Sequence, residues 1–252
     1  MKKILFFLKL LILCAIFVGW HNSDPGSIIS HLSKNGQVKA GGLKYRVYLF
    51  GVVPVGEAFF EQEKIEELSG QKVYHLRAKA VSASLLAKII KVSADLDSYV
   101  DIKTLNPLFF RQKLISPGKE KALKEISYDQ KNGFMAVEGI KRQILPDTQD
   151  PLSMMLRLRR MDFTRVDKFT INLNAHKKNY LFAATARPMD ISAGGNVYKL
   201  VSLEAKVGRQ DKNPYHQSQA SIFLLRQNEN VPILIKIFAS GILMVVKLVE
   251  IY

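Results

Sequence analysis

The chain has one cysteine, Cys14, and one tryptophan among its 252 residues. A single cysteine excludes an intrachain disulfide and a cysteine-based zinc site. The histidines His21, His31, His75, His176 and His216 never stand four residues apart, so a helix-borne zinc motif is also missing. The glycines form no phosphate loop, no dinucleotide fingerprint and no nucleophile elbow; Ala193-Gly194-Gly195-Asn196 reads as a turn. These absences leave no catalytic, metal-binding or cofactor-binding residue to name. Acidic residues are scarce too: 22 Asp and Glu stand against 37 Lys and Arg, a net charge of +15. About +12 remains once Lys2, Lys3 and Lys9 leave with an export signal. Such a surplus suits an anionic neighbour (phospholipid headgroups, lipopolysaccharide, acidic glycans or nucleic acid), or simply a solvated, soluble surface.

Long apolar runs occur only at the amino terminus. Met1-Lys2-Lys3 is followed by apolar Ile4–Leu8 and Leu10–Trp20. This is a secretory signal pattern, and it is short and charge-interrupted for a membrane span. Residues 1–20 are therefore expected to be a signal peptide or, lacking a clean small-x-small cleavage site, an uncleaved anchor. Lipidation at Cys14 is disfavoured, because Leu13 precedes it where a small residue is wanted. Residues 21–42, rich in Gly, Ser, Asn and Lys, read as a flexible linker. Beyond Gly42 no long linker, low-complexity tract or repeat appears, so residues 43–252 are expected to be one exported domain.

That domain alternates as β-strands do. The expected strands are 43–50, 55–61, 72–81, 91–101, 108–115, 121–129, 134–139, 168–174, 179–186, 196–207, 219–227, 231–239 and 242–252. Gly56 fits a bulge. Gln130-Lys131-Asn132-Gly133 closes a hairpin, since Asn-Gly is a strong turn signal. Residues 82–90 fit a short helix. The main helix starts at Gln149-Asp150-Pro151-Leu152-Ser153: Asp150 fits the N-cap, Pro151 the first turn, and Leu152, Met155, Leu156 and Arg159 follow at helical spacing. A dozen strands against one main helix near 150–160 predict a mainly β (α+β) fold. Its form would be a large curved antiparallel sheet or half-open barrel with that helix packed on or in it.

Charged clusters have bland and functional readings. Asp95, Asp97, Tyr99 and Asp101 share a strand face; calcium needs such oxygens, but calcium loops usually carry glycine, so a solvated outer face is expected. Asp147 and Asp150 could form an acid/base pair, yet a capping carboxylate suits structure better and tends toward a lowered pKa. His75 fits a satisfied sheet histidine. Arg157 and Arg160 share a helix side, with Arg165 beyond. With Met155 beneath, they could orient an anionic headgroup at the mouth of an apolar groove. The alternative is that the arginines bridge to sheet carboxylates such as Glu204 or Asp129.

Six short motifs recur in order: Leu43-Lys44-Tyr45, Val55-Gly56-Glu57-Ala58, Ser98-Tyr99-Val100-Asp101, Tyr128-Asp129, Gln149-Asp150-Pro151-Leu152-Ser153 and Val231-Pro232-Ile233. With this spacing the chain resembles the exported bacterial family known as domain of unknown function 3108, from Leu43 to Tyr252. The resemblance implies an exported, periplasmic protein whose curved sheet is similar in architecture to lipoprotein carriers and other lipid-binding half-barrels. It implies no activity. One departure is that Met161-Asp162-Phe163-Thr164 lacks the glycine expected at the helix exit. The leading expectation is a non-enzymatic envelope protein holding a lipid, an acyl chain or a hydrophobic protein segment, near an anionic membrane surface. An assembly factor for another envelope protein comes next, and an enzyme acting on envelope glycans or lipids third. An exported chain is poorly placed to bind nucleic acid.

Overall fold

The structure is a computed structural model and describes residues 24–34, 42–61, 63–83, 92–115, 122–175, 178–210, 217–226 and 229–252. The expected signal or anchor at 1–20, Cys14, and most of the short helix expected at 82–90 lie outside the described residues. Among the described residues two helices, α1 (Pro25–Lys34) and α2 (Pro151–Arg160), accompany fifteen strands. The first nine strands are β1 (Leu43–Leu49), β2 (Val53–Phe60), β3 (Lys64–Leu68), β4 (Gln71–Ser82), β5 (Ser93–Asp101), β6 (Pro107–Ile115), β7 (Ala122–Asp129), β8 (Phe134–Val137) and β9 (Ile140–Gln143). The other six are β10 (Lys168–Ala175), β11 (Lys178–Ala193), β12 (Asn196–Arg209), β13 (Gln217–Arg226), β14 (Asn230–Ala239) and β15 (Ile242–Ile251). No described helix is long and apolar enough to cross a membrane.

All strands join one antiparallel sheet in the order β10-β11-β12-β13-β14-β15-β1-β2-β4-β5-β6-β7-β8-β9, with β3 on the free part of β4. It is two meanders joined along the seam where β1 pairs with β15. The sheet does not close into a barrel. Its two ends are instead tied by one parallel bridge, Gln149 to Leu173, with Gln149 N donating to Asn172 O at 2.7 Å and Asn174 N to Gln149 O at 2.7 Å.

The helix α2 forms as its sequence dictates. Asp150 accepts from the amides of Leu152 (2.7 Å) and Ser153 (2.9 Å), and Ser153 Oγ accepts from Asp150 N at 2.9 Å. This reciprocal box, with Pro151 in the first turn, satisfies amides that a helix start leaves unpaired. The helix lies against β4 and β5 on one side and β10 and β14 on the other. Leu152 and Leu156, one turn apart, join Leu76, Val100, Phe110 and Ile126. Leu158 joins Phe163, Phe182, Val201, Leu203 and Ile222. One short helix thus supplies both halves of the interior.

Four expectations need correction. The tract 21–42 is not a linker throughout: Pro25–Lys34 is α1, with Ile28, Ile29 and Leu32 buried beside Leu200, Leu225 and Val245. Neighbouring strand residues face opposite ways, so burial of both Leu200 and Val201 means this half of the sheet is covered twice, by α2 inside and α1 outside. The strand expected at 179–186 extends to Ala193 through Pro188. Its neighbour β10 pairs only as far as Thr185, so the proline sits on a one-sided stretch where a missing N–H costs little. The exposed strands β3 and β9 have no buried face to impose alternation and escaped notice. The helix exit needs no glycine. Met161 leaves in an extended conformation, and Asn230 Nδ2 reaches the carbonyls of Leu158 (3.4 Å), Arg159 (3.2 Å) and Met161 (2.8 Å).

Gly56 faces a crossing of backbones. The bulge is present, between Val47 and Tyr48 opposite it, and a Cβ on Gly56 would stand 2.6 Å from the Val81 carbonyl oxygen. Backbone cannot swing aside as a side chain can. Gly56→Ala should therefore lower stability by about 1–3 kcal/mol, read as a fall in the urea midpoint at unchanged m-value.

Candidate functional site

Three polar constellations compete for a functional role. The first is the junction where α2 begins. Ser98 Oγ in β5 donates to Asp150 Oδ2 at 2.5 Å. Gln149 Nε2 donates to Asn106 Oδ1 (2.7 Å) and Asp147 O (3.0 Å), and Asn106 Nδ2 donates to Asp147 Oδ1 at 2.8 Å. The Tyr128 hydroxyl and Gln149 Oε1 are buried without a partner. Asp101 closes the β5–β6 turn, accepting from the Lys103 and Thr104 amides, the Thr104 hydroxyl and Gln71. Burial would raise its pKa, but these donors outweigh burial and lower it. Next to the junction is a surface hollow of about 500 Å³, lined by Gln71, Asp101, Asn106, Tyr128 and Gln130 among others.

The capping carboxylate departs from expectation. Asp150 is fully buried, and desolvation outweighs its hydrogen bonds from Ser98, Ser153 and Leu152, pushing its pKa up to about 6. Burial, and then the Asp150 charge, push the Tyr128 hydroxyl up as well. An acid/base pair is not assembled here. A proton donor must reach substrate, whereas Asp150 is 0% exposed and Asp147 is engaged by Asn106. Every position of the 149–153 motif has a structural task instead: the bridge to β10, the cap, the first turn, the core contact and the returning hydroxyl.

The second constellation is at the other end of α2. Arg159 pairs with Glu229 (2.6 Å) and Glu63 (4.0 Å); Arg160 pairs with Glu63 (3.0 Å) and Glu229 (3.7 Å), its guanidinium 4.2 Å from the Tyr74 ring. Glu63 precedes β3 and Glu229 precedes β14, so this square clamps the helix end to both meanders. The expected grouping of Arg157 with Arg160 is not what forms. Arg157 joins neither carboxylate, and Arg165 lies exposed beside Asp162 at 3.6 Å. Nor do Glu204 and Asp129 receive the arginines: Glu204 accepts from Ser221 and Asp129 from the Asn132 turn. Met155 lines a cavity of about 30 Å³ with Tyr45, Phe60, Leu152 and Leu156, room for about one water. The partners Glu63, Glu229 and Asn230 were missed because they are far away in sequence and look like ordinary turn residues.

The third is a groove of about 770 Å³ across β4–β7, on the face opposite α2. Asp97 is its hub, pairing with His75 (3.0 Å), Arg77 (3.4 Å) and Arg111 (3.3 Å); His75 also meets Glu66 at 3.0 Å and stacks on Tyr99 at 4.3 Å. His75 is the satisfied sheet histidine expected. The acidic face is not simply solvated, because Asp97 is locked into this network while Asp101 closes its turn. Arg77, Lys79, Arg111 and Lys113 in the groove are offset by Glu61, Asp95, Asp97 and Glu125. No group of His, Cys, Asp and Glu able to hold a metal occurs among the described residues.

With the geometry in place, a family profile described as protein of unknown function (DUF3108) matches residues 44–241. The chain belongs to this family. No curated protein matches it in sequence. The DUF3108 chain is similar to the crystal structure of a beta-barrel-like protein of domain of unknown function DUF1849 from Brucella abortus. The two share 13% identity and a TM-score of 0.55 over 86% of this chain and 100% of that one. At this identity the likeness shows the fold alone, an antiparallel half-barrel. A lipoprotein candidate from Parabacteroides distasonis ATCC 8503 matches at 10% identity over 85% and 96% of the two chains, with a TM-score of 0.36 that carries no argument.

Two outcomes follow for this DUF3108 protein. Unfolded, the Asp150 carboxyl loses its proton near 3.8; folded, near 6. The folded state holds the extra proton between these values. Its contribution to stability is full below the lower value and is lost as pH rises through the upper one, by roughly 3 kcal/mol. Asp150→Asn keeps a capping oxygen and should flatten stability between pH 4 and 6, whereas Asp150→Ala should cost about 2–4 kcal/mol at any pH; urea titrations across that range separate the two. Arg160→Glu places a third carboxylate beside Glu63 and Glu229 and should cost about 2–4 kcal/mol, while Arg157→Glu should change stability by under about 0.5 kcal/mol, read from the same titrations.

Proposed function

We propose that the protein is a non-enzymatic component of the cell envelope, exported to the periplasm, that engages its partner with its outer surface. The amino-terminal pattern supports export, and the lack of cysteine after Cys14 is compatible with it. The observation that carries the reading is the occupancy of the concave face. A carrier needs a lipid-sized apolar hollow, commonly hundreds of Å³. Here α2 occupies the place a ligand would take, its leucines fill both inner clusters, and the cavity beside Met155 is about 30 Å³. Of the arginines expected to orient a headgroup at the mouth, Arg160 is already neutralised by Glu63 and Glu229, and Arg165 lies exposed beside Asp162. An assembly or anchoring role therefore fits this interior better than carriage of an acyl chain.

Native mass spectrometry with organic extraction, on protein purified from an envelope fraction, tests the reading. The expected result is a bare protein mass and no stoichiometric lipid in the extract. A bound lipid that Met155→Glu releases would restore the carrier reading and overturn this one.

A further inference from the structure

Two adjoining hairpin tips of the sheet carry apolar side chains where turns are ordinarily polar. There the β1–β2 and β14–β15 turns meet: Phe50 N donates to Leu243 O at 2.7 Å, and Phe238 pairs with Leu243. Phe50, Phe238 and Ile242 are 36%, 49% and 47% exposed at these tips. Phe238 and Ile242 flank the β14–β15 turn on opposite faces of the hairpin, so with Phe50 on the adjoining tip this corner is apolar on both sides, and exposed apolar surface of this kind marks interaction sites.

Directly behind the tips are two lysines with no acid beside them. Lys236 lies two residues, roughly 7 Å, behind Phe238 on the same strand and face, and Lys247, opposite Leu234, stands two residues further back on that face. Neither has an ion-pair partner among the described residues; each ammonium rests over an aromatic ring, Phe223 at 6.0 Å and Tyr48 at 4.7 Å. The carboxylates in register with them lie two strands away and are engaged: Glu57 in β2 is held by Lys44 and Arg46, and Glu204 in β12 accepts from Ser221. Burial, and then the charge of Lys236, lower the pKa of Lys247, so this pair repels itself and would gain from an anion. The contrast with the groove across β4–β7, where bases and acids cancel, is direct.

We propose that this end docks on an anionic phospholipid bilayer, with Phe50, Phe238 and Ile242 entering the headgroup boundary and Lys236 and Lys247 meeting phosphate oxygens. The depth agrees: apolar groups at such interfaces sit roughly 5–10 Å deep, and the first lysine follows at roughly 7 Å. A bilayer supplies both the apolar layer and the anionic one, in this order, which a free phosphate does not. The inference rests on the outward-binding reading above and names the partner.

The test uses the full chain with Cys14→Ser and Ser240→Cys, the new thiol carrying an environment-sensitive fluorophore. The label reports the tip itself, whatever the amino-terminal segment does. With vesicles of phosphatidylethanolamine and phosphatidylglycerol the emission should shift to the blue. The shift should vanish on pure phosphatidylcholine, and binding should fall about thirtyfold in Lys236→Gln/Lys247→Gln, a surface change whose unfolding midpoint verifies the fold. No shift with anionic vesicles, an equal shift on neutral ones, or a doubled mass in solution that Ile242→Ser returns to monomer would overturn the proposal. The extraction experiment stays separate: an interior lipid would sink the outward-binding reading, while a silent tip on a lipid-free protein would sink only the bilayer.

Discussion

The fold depends on taking one carboxylate, Asp150, wholly out of water. A buried charge is costly unless it is hydrogen-bonded or keeps its proton. Asp150 draws on both: Ser98, Leu152 and Ser153 hydrogen-bond to it, and its pKa rises to about 6. In return it holds the helix start against β5 while Gln149, one residue earlier, holds the edge of β10. The edge strand β10 of one meander and the inner strand β5 of the other are thereby fixed relative to each other by adjacent residues. At the far end of the helix, Arg159 and Arg160 repeat the arrangement with opposite charge, held by Glu63 and Glu229. The half-barrel keeps its curvature because its filler is fastened at both ends.

Much of this was legible in the sequence, for local reasons. Alternation marked most strands because one face of each is buried, and Asp150-Pro151 marked the helix start because capping chemistry is local. Where burial does not alternate, the signal failed: β3 and β9 are exposed edges, and α1 sits in a polar tract whose Ile28, Ile29 and Leu32 mattered only once the outer face of the sheet was there to receive them. The functional residues fared worse. Which carboxylate an arginine meets is set by strands far apart in the chain, so Glu63 and Glu229 could not be preferred over Glu204 and Asp129. The expected lowering of the Asp150 pKa followed from capping alone; full burial reversed it.

The surplus of positive charge is distributed unevenly in its effect. Arg77 and Arg111 in the groove across β4–β7, and Arg159 and Arg160 at the end of α2, have acidic partners and serve stability. Lys236 and Lys247 do not. A net charge of +15 is thus a poor guide to binding until the paired fraction is set aside. The family motifs belong to the paired and buried fraction: Tyr45 donates to the Pro232 carbonyl at 2.8 Å, joining the first motif to the last, and Gly56, Ser98 and Asp150 make equally internal contacts. The resemblance to DUF3108 therefore reports how the chain folds.

The seam between β1 and β15 has a consequence for biogenesis. A chain that emerges from its amino terminus presents β1 long before β15. Each meander is built from near neighbours in sequence and has its partners as soon as it emerges, but β1 can complete its pairing only when β15 arrives. Until then the first strand offers an unpaired edge to anything nearby. Closing so long a loop is slow, since contacts distant in sequence pay their entropy before they return any energy. The interval between the emergence of β1 and seam closure is when this protein is most exposed to misassembly.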